Sequence, residues 1–431
     1  MIASLKPSSI ADFIALSEFF PMFAFAAVSA SSVLAARASA SEALSTARVS
    51  SNAVSFNKPN VATAVEASTA VLTVVISTRN SVRALPEAID SVVAQGVVNL
   101  EIIVTDDGST DGTRAWLRRR QETLPGLRVL TGDGDGPNMA RNRAIIAARA
   151  PLIAFLDAHD RWTPGKLTAQ HDFHLKRPDV VFSFTNYVKV DAEERPLGAC
   201  FDQWNGMRRL TEAAERAAGR VEERSHLRQP PFCSIDQRPR SGVVSDSDGA
   251  VFSLGRRGGY CLLELAEARL LAENVVGGST VVVRRQDLLR VGGFDVSMRS
   301  VADWDLWLRL SRLGHVGFTS FVGAVDAPKP DPVGNDVDLR IEYMRRIITR
   351  HAPFLAVSGS WALRCAEARL LLAEAELARS RGLRWRAFRA HLKAFLKSRG
   401  RRAAQDMLVD LSGLWPRSST QSPGPWFPAG A

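Results

Sequence analysis

Leu100-Glu101-Ile102-Ile103-Val104 runs into Asp106-Asp107-Gly108-Ser109, an apolar, β-branched stretch that stops in a cluster of carboxylates. A run of this length bounded by turn-forming residues suits a strand buried on both faces of a sheet. A matching run stands upstream at Val71-Leu72-Thr73-Val74-Val75-Ile76, and Leu152 to Leu156 repeats the pattern before Asp157. Helical spacing lies between them. Leu85 to Ala94, with Pro86 suited to a first turn, Thr110 to Glu122 and Asn138 to Ala148 read as helices, and Leu127 to Leu130 as a short strand. Strand and helix alternating at this interval predict βαβ units, hence an α/β fold with a Rossmann-like, mainly parallel sheet flanked by helices. Carboxylates at strand ends fall where open α/β sheets bind ligands, beyond the carboxyl edges of the strands.

Outward from this core the chain changes character. Residues 1–68 are rich in Ala and Ser without a sustained hydrophobic period, and read as a disordered N-terminal extension. Phe19 to Ala36 carries no charge but includes Pro21 and several serines, so a weak membrane anchor is the second reading. Only Lys6 supplies basic charge ahead of it, and secretion is not inferred. Residues 205–259 are irregular and rich in Arg, Gly, Pro and Ser, as in an insertion within a domain spanning 69–335. Order returns at Ser279-Thr280-Val281-Val282-Val283, followed by Gly292-Gly293-Phe294-Asp295 and a helix from Asp303 to Leu313. Residues 336–412 read as amphipathic, arginine-rich helices forming a C-terminal helical extension, and 413–431 as a flexible tail.

With 46% hydrophobic and 23% charged residues the chain is an ordinary globular protein. Its net charge of +10 attracts anionic partners, whether nucleotide phosphates, nucleic acid or acidic lipid. No nucleic-acid-binding motif is present and aromatics do not alternate with basic residues in a stacking pattern, so no nucleic-acid partner is expected. Arg345, Arg346, Arg384, Arg386, Arg389, Lys393 and Lys397 in the helical extension suit an anionic membrane surface, with a solvated helical cap as the competing reading. Cys200, Cys233, Cys261 and Cys365 form no C-x-x-C pair, which disfavours a zinc ribbon or a disulfide scaffold and fits a reducing, cytoplasmic compartment.

Four clusters carry candidate chemistry. In Asp106-Asp107-Gly108-Ser109 the carboxylates can accept hydrogen bonds from a base or ribose, or Asp106 or Ser109 can cap the next helix. Gly136-Pro137-Asn138-Met139-Ala140-Arg141-Asn142 opens a helix whose N–H groups, with Arg141, suit a diphosphate; Arg141 can instead pair with a surface acid. The preceding Gly132-Asp133-Gly134-Asp135-Gly136 lacks the dinucleotide-binding spacing, which disfavours a dehydrogenase. Phe155-Leu156-Asp157-Ala158-His159-Asp160 places hard oxygen ligands at a strand end, suited to a divalent cation, or forms a solvated turn with a cap at Thr163-Pro164. Asp303-Trp304-Asp305 opens a helix, where Asp303 serves the helix dipole or acts as a positioned base.

In order along the chain, Val75-Ile76-Ser77-Thr78-Arg79-Asn80, Asp106-Asp107-Gly108-Ser109, Ala140-Arg141-Asn142, the Asp157 cluster, Gly292-Gly293-Phe294-Asp295 and Ala302-Asp303-Trp304-Asp305 resemble family 2 of the nucleotide-sugar glycosyltransferases, which have the GT-A fold. The resemblance runs from about Val74 to Val325. It implies an inverting enzyme that moves a sugar from a nucleotide-sugar donor, UDP-sugar favoured, to a hydroxyl on a saccharide or lipid-linked acceptor. Cell-surface polysaccharide or glycolipid synthesis, in the cytoplasm or at the inner face of the plasma membrane, is the implied setting. Asp303 matches the catalytic base. Thr78, Asp106, Asp107, Arg141 and Asp157 match the donor site, and Asp157, His159 and Asp160 the site of a divalent metal, Mn2+ or Mg2+. His159 replaces the family's second motif aspartate, and histidine suits Mn2+ better than Mg2+. Ala302 stands where Glu usually precedes the base, and Arg79 where tyrosine is common. The alternative implied by these departures is a catalytically decayed nucleotide-sugar-binding or scaffold protein. The Gln-x-x-Arg-Trp sequence of the family's processive polymerases is absent, which implies addition of one or a few sugars.

Overall fold

The two apolar runs pair side by side in the computed structural model. Strands β1 (Leu72–Thr78) and β2 (Leu100–Asp106) form a parallel ladder with Leu72 opposite Leu100 and Thr78 opposite Asp106. The structure describes residues 70–204, 207, 210–211, 241–242, 254–255, 260–328, 337–355 and 360–398. The extension expected over 1–68, most of the insertion at 205–259 and the tail at 413–431 lie outside those residues.

β3 (Leu127–Thr131) flanks β2, and β4 (Leu152–Asp157) flanks β1 on the other side; both pairings are parallel. The expected parallel sheet is this four-stranded half. Beyond β4 the sheet becomes mixed. β5 (Arg161–Trp162), β6 (Val180–Val190), β7 (Pro196–Ala199), β8 (Ser241–Gly242), β9 (Leu254–Gly255), β10 (Cys261–Leu262), β11 (Val282–Arg284) and β12 (His315–Asp326) follow in the chain. The order across the main sheet is β10-β12-β6-β11-β4-β1-β2-β3, with β5 on β12 and β7 on β6. β11 runs antiparallel to β4 and β6, while β6 and β12 are parallel. Ser279 and Thr280, expected in a strand, form a 3-10 turn instead, and the ladder begins at Val282.

The helices α1 (Leu85–Val93), α2 (Thr113–Thr123), α3 (Pro137–Ala147) and α4 (Lys166–Lys176) connect the strands. α1 buries Leu85, Ala88, Ile89 and Val92, the i, i+3, i+4, i+7 stripe of a helix laid on a sheet. α4 presses Phe173 onto β12 at Gly317, where a Cβ would stand 2.3 Å from the ring; glycine is required by that approach.

Farther along come α5 (Cys200–Gln203), α6 (Ala266–Ala272), α7 (Arg285–Arg290) and α8 (Ala302–Leu310). An aromatic group fixes α8 to the sheet: Trp307 lies 6.2 Å from Phe155, 5.5 Å from Phe182 and 6.4 Å from Phe294, centroid to centroid. Such pairs contribute about 0.5–1.5 kcal/mol each beyond their burial.

The C-terminal helices are α9 (Val337–His351), α10 (Ser360–Ser380) and α11 (Arg384–Ser398). A buried charge centre joins α9 to α8. Asp305, fully buried, accepts Arg309 Nε at 2.7 Å, Arg350 Nη1 at 2.9 Å and His351 Nε2 at 2.9 Å. Arg312 donates to His351 Nδ1 at 2.7 Å, which leaves Nε2 to donate to Asp305. Burial opposes ionisation of Asp305, but the His351 hydrogen bond and the two arginines outweigh it and hold the carboxyl well below the usual carboxylate range. α10 is tied down by Arg369, which lies over Trp304 and Trp204 and donates to the Ala272 carbonyl at 3.1 Å.

Two stability outcomes follow. Asp305→Ala removes the carboxylate shared by Arg309, Arg350 and His351, leaving Arg350 with Asp295 alone, and is expected to cost about 3–5 kcal/mol in urea denaturation. His174 on α4 is buried, and burial, with Arg284 adding to it, pushes its pKa down to about 3 from 6.5. The folded ring stays neutral while the unfolded chain takes up a proton. Stability is therefore lost as pH falls from about 6.5 towards about 3, with a slope of about 1.4 kcal/mol per pH unit from this group. His174→Gln should flatten that slope when urea midpoints are compared across the window.

Candidate active site

The carboxyl ends of β4, β1 and β2 stand in register, with Ser77 opposite Asp157 and Thr78 opposite Asp106. Two of the carboxylate clusters therefore flank Thr78. Thr78 is buried, its carbonyl accepts Asp107 N at 2.9 Å, and its hydroxyl has no hydrogen-bond partner among the described residues. Asn80, in the left-handed region at φ 52°, crosslinks the two strand ends: its N–H donates to Ser109 Oγ and its Oδ1 accepts Thr110 N.

The Asp106 carboxylate is fully buried and accepts Ser109 N at 3.2 Å and Arg114 Nε at 2.8 Å. It shapes the turn and does not cap α2; Asp111 takes the Thr113 N–H instead. Asp107, 3% exposed, accepts Gly134 N at 3.1 Å on one oxygen and Gly136 N at 2.8 Å on the other. The glycine-rich segment from Gly132 to Gly136 thus wraps Asp107, so closely that a Cβ on Gly132 would lie 2.5 Å from its Oδ1. No signal in the sequence linked those glycines to that carboxylate.

α3 supplies Arg141, whose Nη2 donates to Asp157 Oδ1 at 2.6 Å while the guanidinium sits 5.4 Å from the Phe294 ring. The acid that pairs with Arg141 is thus another candidate site residue, on a side chain 23% exposed. The next residue, Asn142, explains why the Arg141 cluster and the Gly292-Gly293-Phe294 cluster occur together. Its Nδ2 donates to Phe294 O and its Oδ1 accepts Phe294 N, both at 2.9 Å. Gly293 adopts φ 68°, and a Cβ there would be 2.4 Å from Asn142 Oδ1. Only glycine meets both demands.

At the end of β4 a single hydroxyl organises the candidate metal ligands. Ser279 Oγ accepts Asp157 N at 3.0 Å and donates to Asp160 Oδ2 at 2.5 Å; the Ser279 carbonyl accepts Trp162 Nε1 at 2.7 Å. Asp160 Oδ1 accepts Ala327 N at 3.2 Å and lies 3.5 Å from His159 Nε2. Asp157, His159 and Asp160 each offer a ligand atom, all within 4.8 Å of one another. Burial first, then the charges of Asp326 and Asp157, push the Asp160 carboxyl well above the usual carboxylate range. A hard divalent cation fits this donor set, because it would favour the ionised forms that burial and like charge oppose. Thr163, the expected cap, bonds to the Val322 carbonyl of β12 and does not cap α4.

Asp303 lies in the first turn of α8, half-buried, with its Oδ1 accepting Trp304 N at 2.8 Å. Its charge is felt at Tyr187 on β6. Burial raises the Tyr187 phenol well above its ordinary pKa, with Cys200, Asp326 and Asp303 adding to the shift. Asp326 in turn pairs with Lys189 at 3.2 Å and acts on Asp160. Asp157, His159 and Asp160 are brought together directly, Asp106 and Asp107 stand two strands away across β1, and the charge of Asp303 opposes ionisation of the Tyr187 phenol, as that of Asp326 does.

Ser279, Tyr187, Lys189 and Asp326 were missed in the sequence. Asp326 had a readable signal, since it closes an apolar run as Asp106 and Asp157 do. Ser279 had none, because its place depends on a turn read as strand.

The profile described as glycosyl transferase family 2 matches residues 73–226. The teichuronic acid biosynthesis protein TuaG of Bacillus subtilis is 32% identical over 128 residues, covering 30% of this chain and 50% of TuaG. WfgD of Escherichia coli, a UDP-Glc:alpha-D-GlcNAc-diphosphoundecaprenol beta-1,3-glucosyltransferase, is 31% identical over 28% of this chain and 47% of its own. The succinoglycan biosynthesis protein ExoU of Rhizobium meliloti is 36% identical over 22% of this chain and 28% of its own. The chain spans half or less of the length of these relatives. Among solved structures, Staphylococcus aureus TarS 1–349 with UDP-GlcNAc aligns with a TM-score of 0.43 at 16% identity, over 80% of this chain and 93% of that one. The strand-end carboxylates in register at β4, β1 and β2 thus lie within the segment, residues 73–226, that is similar to glycosyl transferase family 2.

Proposed function

We propose that this chain transfers a sugar, with inversion, from a nucleotide-sugar donor to a hydroxyl of a saccharide or lipid-linked acceptor during cell-surface polysaccharide or glycolipid synthesis. The observation that carries the reading is the Arg141–Asp157 pair at the edge of a crowded carboxylate cluster. A guanidinium and an array of hard oxygen ligands side by side suit the two needs of a diphosphate, a hydrogen-bonded clamp and charge neutralisation. The names of WfgD, TuaG and ExoU support the substrate class, since each refers to a polysaccharide or a lipid-linked sugar. A UDP-sugar is the favoured donor.

Each group has a part in a single displacement. Arg141 exchanges its carboxylate partner for the donor diphosphate and holds the leaving group. Asp157, His159 and Asp160 would hold Mn2+ or Mg2+, which when bound supplies positive charge next to the departing diphosphate. Asp303 takes the proton of the acceptor hydroxyl as that oxygen bonds to the anomeric carbon and the bond from that carbon to the phosphate oxygen breaks. One in-line step inverts the anomeric centre. Thr78 and Asp107 line the nucleoside end of the pocket; Asp106 supports the turn beneath it.

Asp303→Asn should lower transfer by roughly 10²–10⁴-fold while leaving donor affinity by calorimetry unchanged. Turnover at the wild-type rate would place the base elsewhere. Donor bound but turned over by neither protein would favour the scaffold reading, for which the replacement of aspartate by His159 is the motive. Asp157→Ala should weaken donor affinity about tenfold or more in Mn2+ and remove most of the Mn2+ dependence. Titrating a panel of nucleotide sugars with and without Mn2+ checks both the metal and the favoured donor; an affinity indifferent to the substitution would overturn the metal assignment.

A further inference from the structure

The basic residues of the helical extension do not all face outward alike. On α9, Arg345 pairs with Glu374, and Arg346 and Arg350 pair with Asp295. α11 carries no acid of its own: its fifteen residues include five Lys or Arg and no Asp or Glu, and one of the five, Lys397, pairs with Glu367 of α10. Its inner face is small and closed, with Ala387, His391 and Ala394 buried at i, i+4 and i+7. Its outer face carries a second apolar stripe. Trp385, Leu392 and Leu396 recur at i, i+7 and i+11, with Arg389 between them at i+4. Trp385 is 63% exposed and Leu396 68%. Arg386, Arg389 and Lys393 are exposed along the same side.

Packing does not require that stripe, because the opposite face already seats the helix on α10. A helix with large apolar side chains among cations, and with no anion, is complementary to the boundary between anionic headgroups and acyl chains. Tryptophan is suited to that depth, and the alkyl stems of Arg and Lys lie along apolar surface while their charged ends stay in the headgroups. At about 1.5 Å per residue α11 is about 22 Å long, a length for lying in the interface and not for crossing it.

We propose that α11 is an interfacial helix that docks this protein on an anionic lipid bilayer through Trp385, Leu392 and Leu396, with Arg386, Arg389 and Lys393 contacting the headgroups. None of these residues belongs to the donor site, and the proposal does not depend on the catalytic reading. Its consequence for that reading is that a membrane-bound acceptor would be met in two dimensions.

The test is cosedimentation of the full chain with vesicles of phosphatidylcholine alone or mixed with phosphatidylglycerol. The expected result is binding only when phosphatidylglycerol is present, weakening as salt is raised. Trp385→Ser combined with Leu396→Ser should reduce partitioning about tenfold or more, since both side chains are exposed and the fold does not use them. Arg386→Ser, Arg389→Ser and Lys393→Ser should each reduce it about fivefold. Thermal shift with a nucleotide sugar on the same variants reports the donor site independently. Equal binding to both vesicle types, undiminished binding by the doubly substituted chain, or displacement from vesicles by a DNA oligonucleotide at equal charge would overturn the proposal.

Discussion

Negative charge crowded at the end of β4 is the constraint on which the rest of this site depends. Asp160 is 5% exposed, with Asp157 beside it and Asp326 close enough to disfavour its ionised form. At about 5 Å and an effective dielectric of about 20, two carboxylates repel by about 3 kcal/mol. A fold that only had to be stable would not hold them there. The cost is reduced locally by Ser279 and the Ala327 amide on Asp160, by Arg141 on Asp157 and by Lys189 on Asp326. Both cations are largely buried, at 20% and 12% side-chain exposure, and Arg141 also packs over the Phe294 ring.

The surrounding scaffold keeps the cluster from relaxing. Parallel pairing on both sides of β1 sets Thr78 between Asp106 and Asp157, and a register slip of one residue would turn every core side chain of these strands to the wrong face. Asn142 clamps the Gly293-Phe294 turn, Phe294 packs on Phe155 at 5.4 Å, and Trp307 packs on both. Side chains from α3, β4 and α8 thus share one aromatic centre. The arginine at the helix start and the acid at the start of α8 are positioned by the same packing.

How much of this could be read from the sequence follows from the range of each signal. β1, β2 and β4 were legible because an apolar β-branched run closing on a carboxylate is a local pattern, and the helices between them matched within three residues. The sheet beyond β4 was not. β11 inserts antiparallel between β4 and β6, a partner choice that no short window encodes. β6 and β12 are long apolar strands whose pairing needs contacts 134 or more residues apart, so Tyr187 and Asp326 were overlooked with them. Asp107 was identified as a site residue but not as the acceptor for the Gly134 and Gly136 amides, because glycine spacing alone does not show what a loop encloses. The clusters around Arg141 and Gly293 were legible as two motifs; only coordinates show that one holds the other.

Asp305 links this site to the C-terminal helices in a way that a simple appended extension would not. It sits two residues after Asp303 on α8, yet its carboxylate is committed to Arg309, Arg350 and His351. Two of those three partners come from α9, so the first turn of α8 is held from behind by the helical extension. Arg369 of α10 adds to this by covering Trp304, the residue between the two acids. Neighbouring aspartates in one short segment thus differ: Asp305 is sealed in an ion-paired interior, and Asp303 is half-buried. The helical extension is therefore part of what holds the first turn of α8, where the candidate base stands.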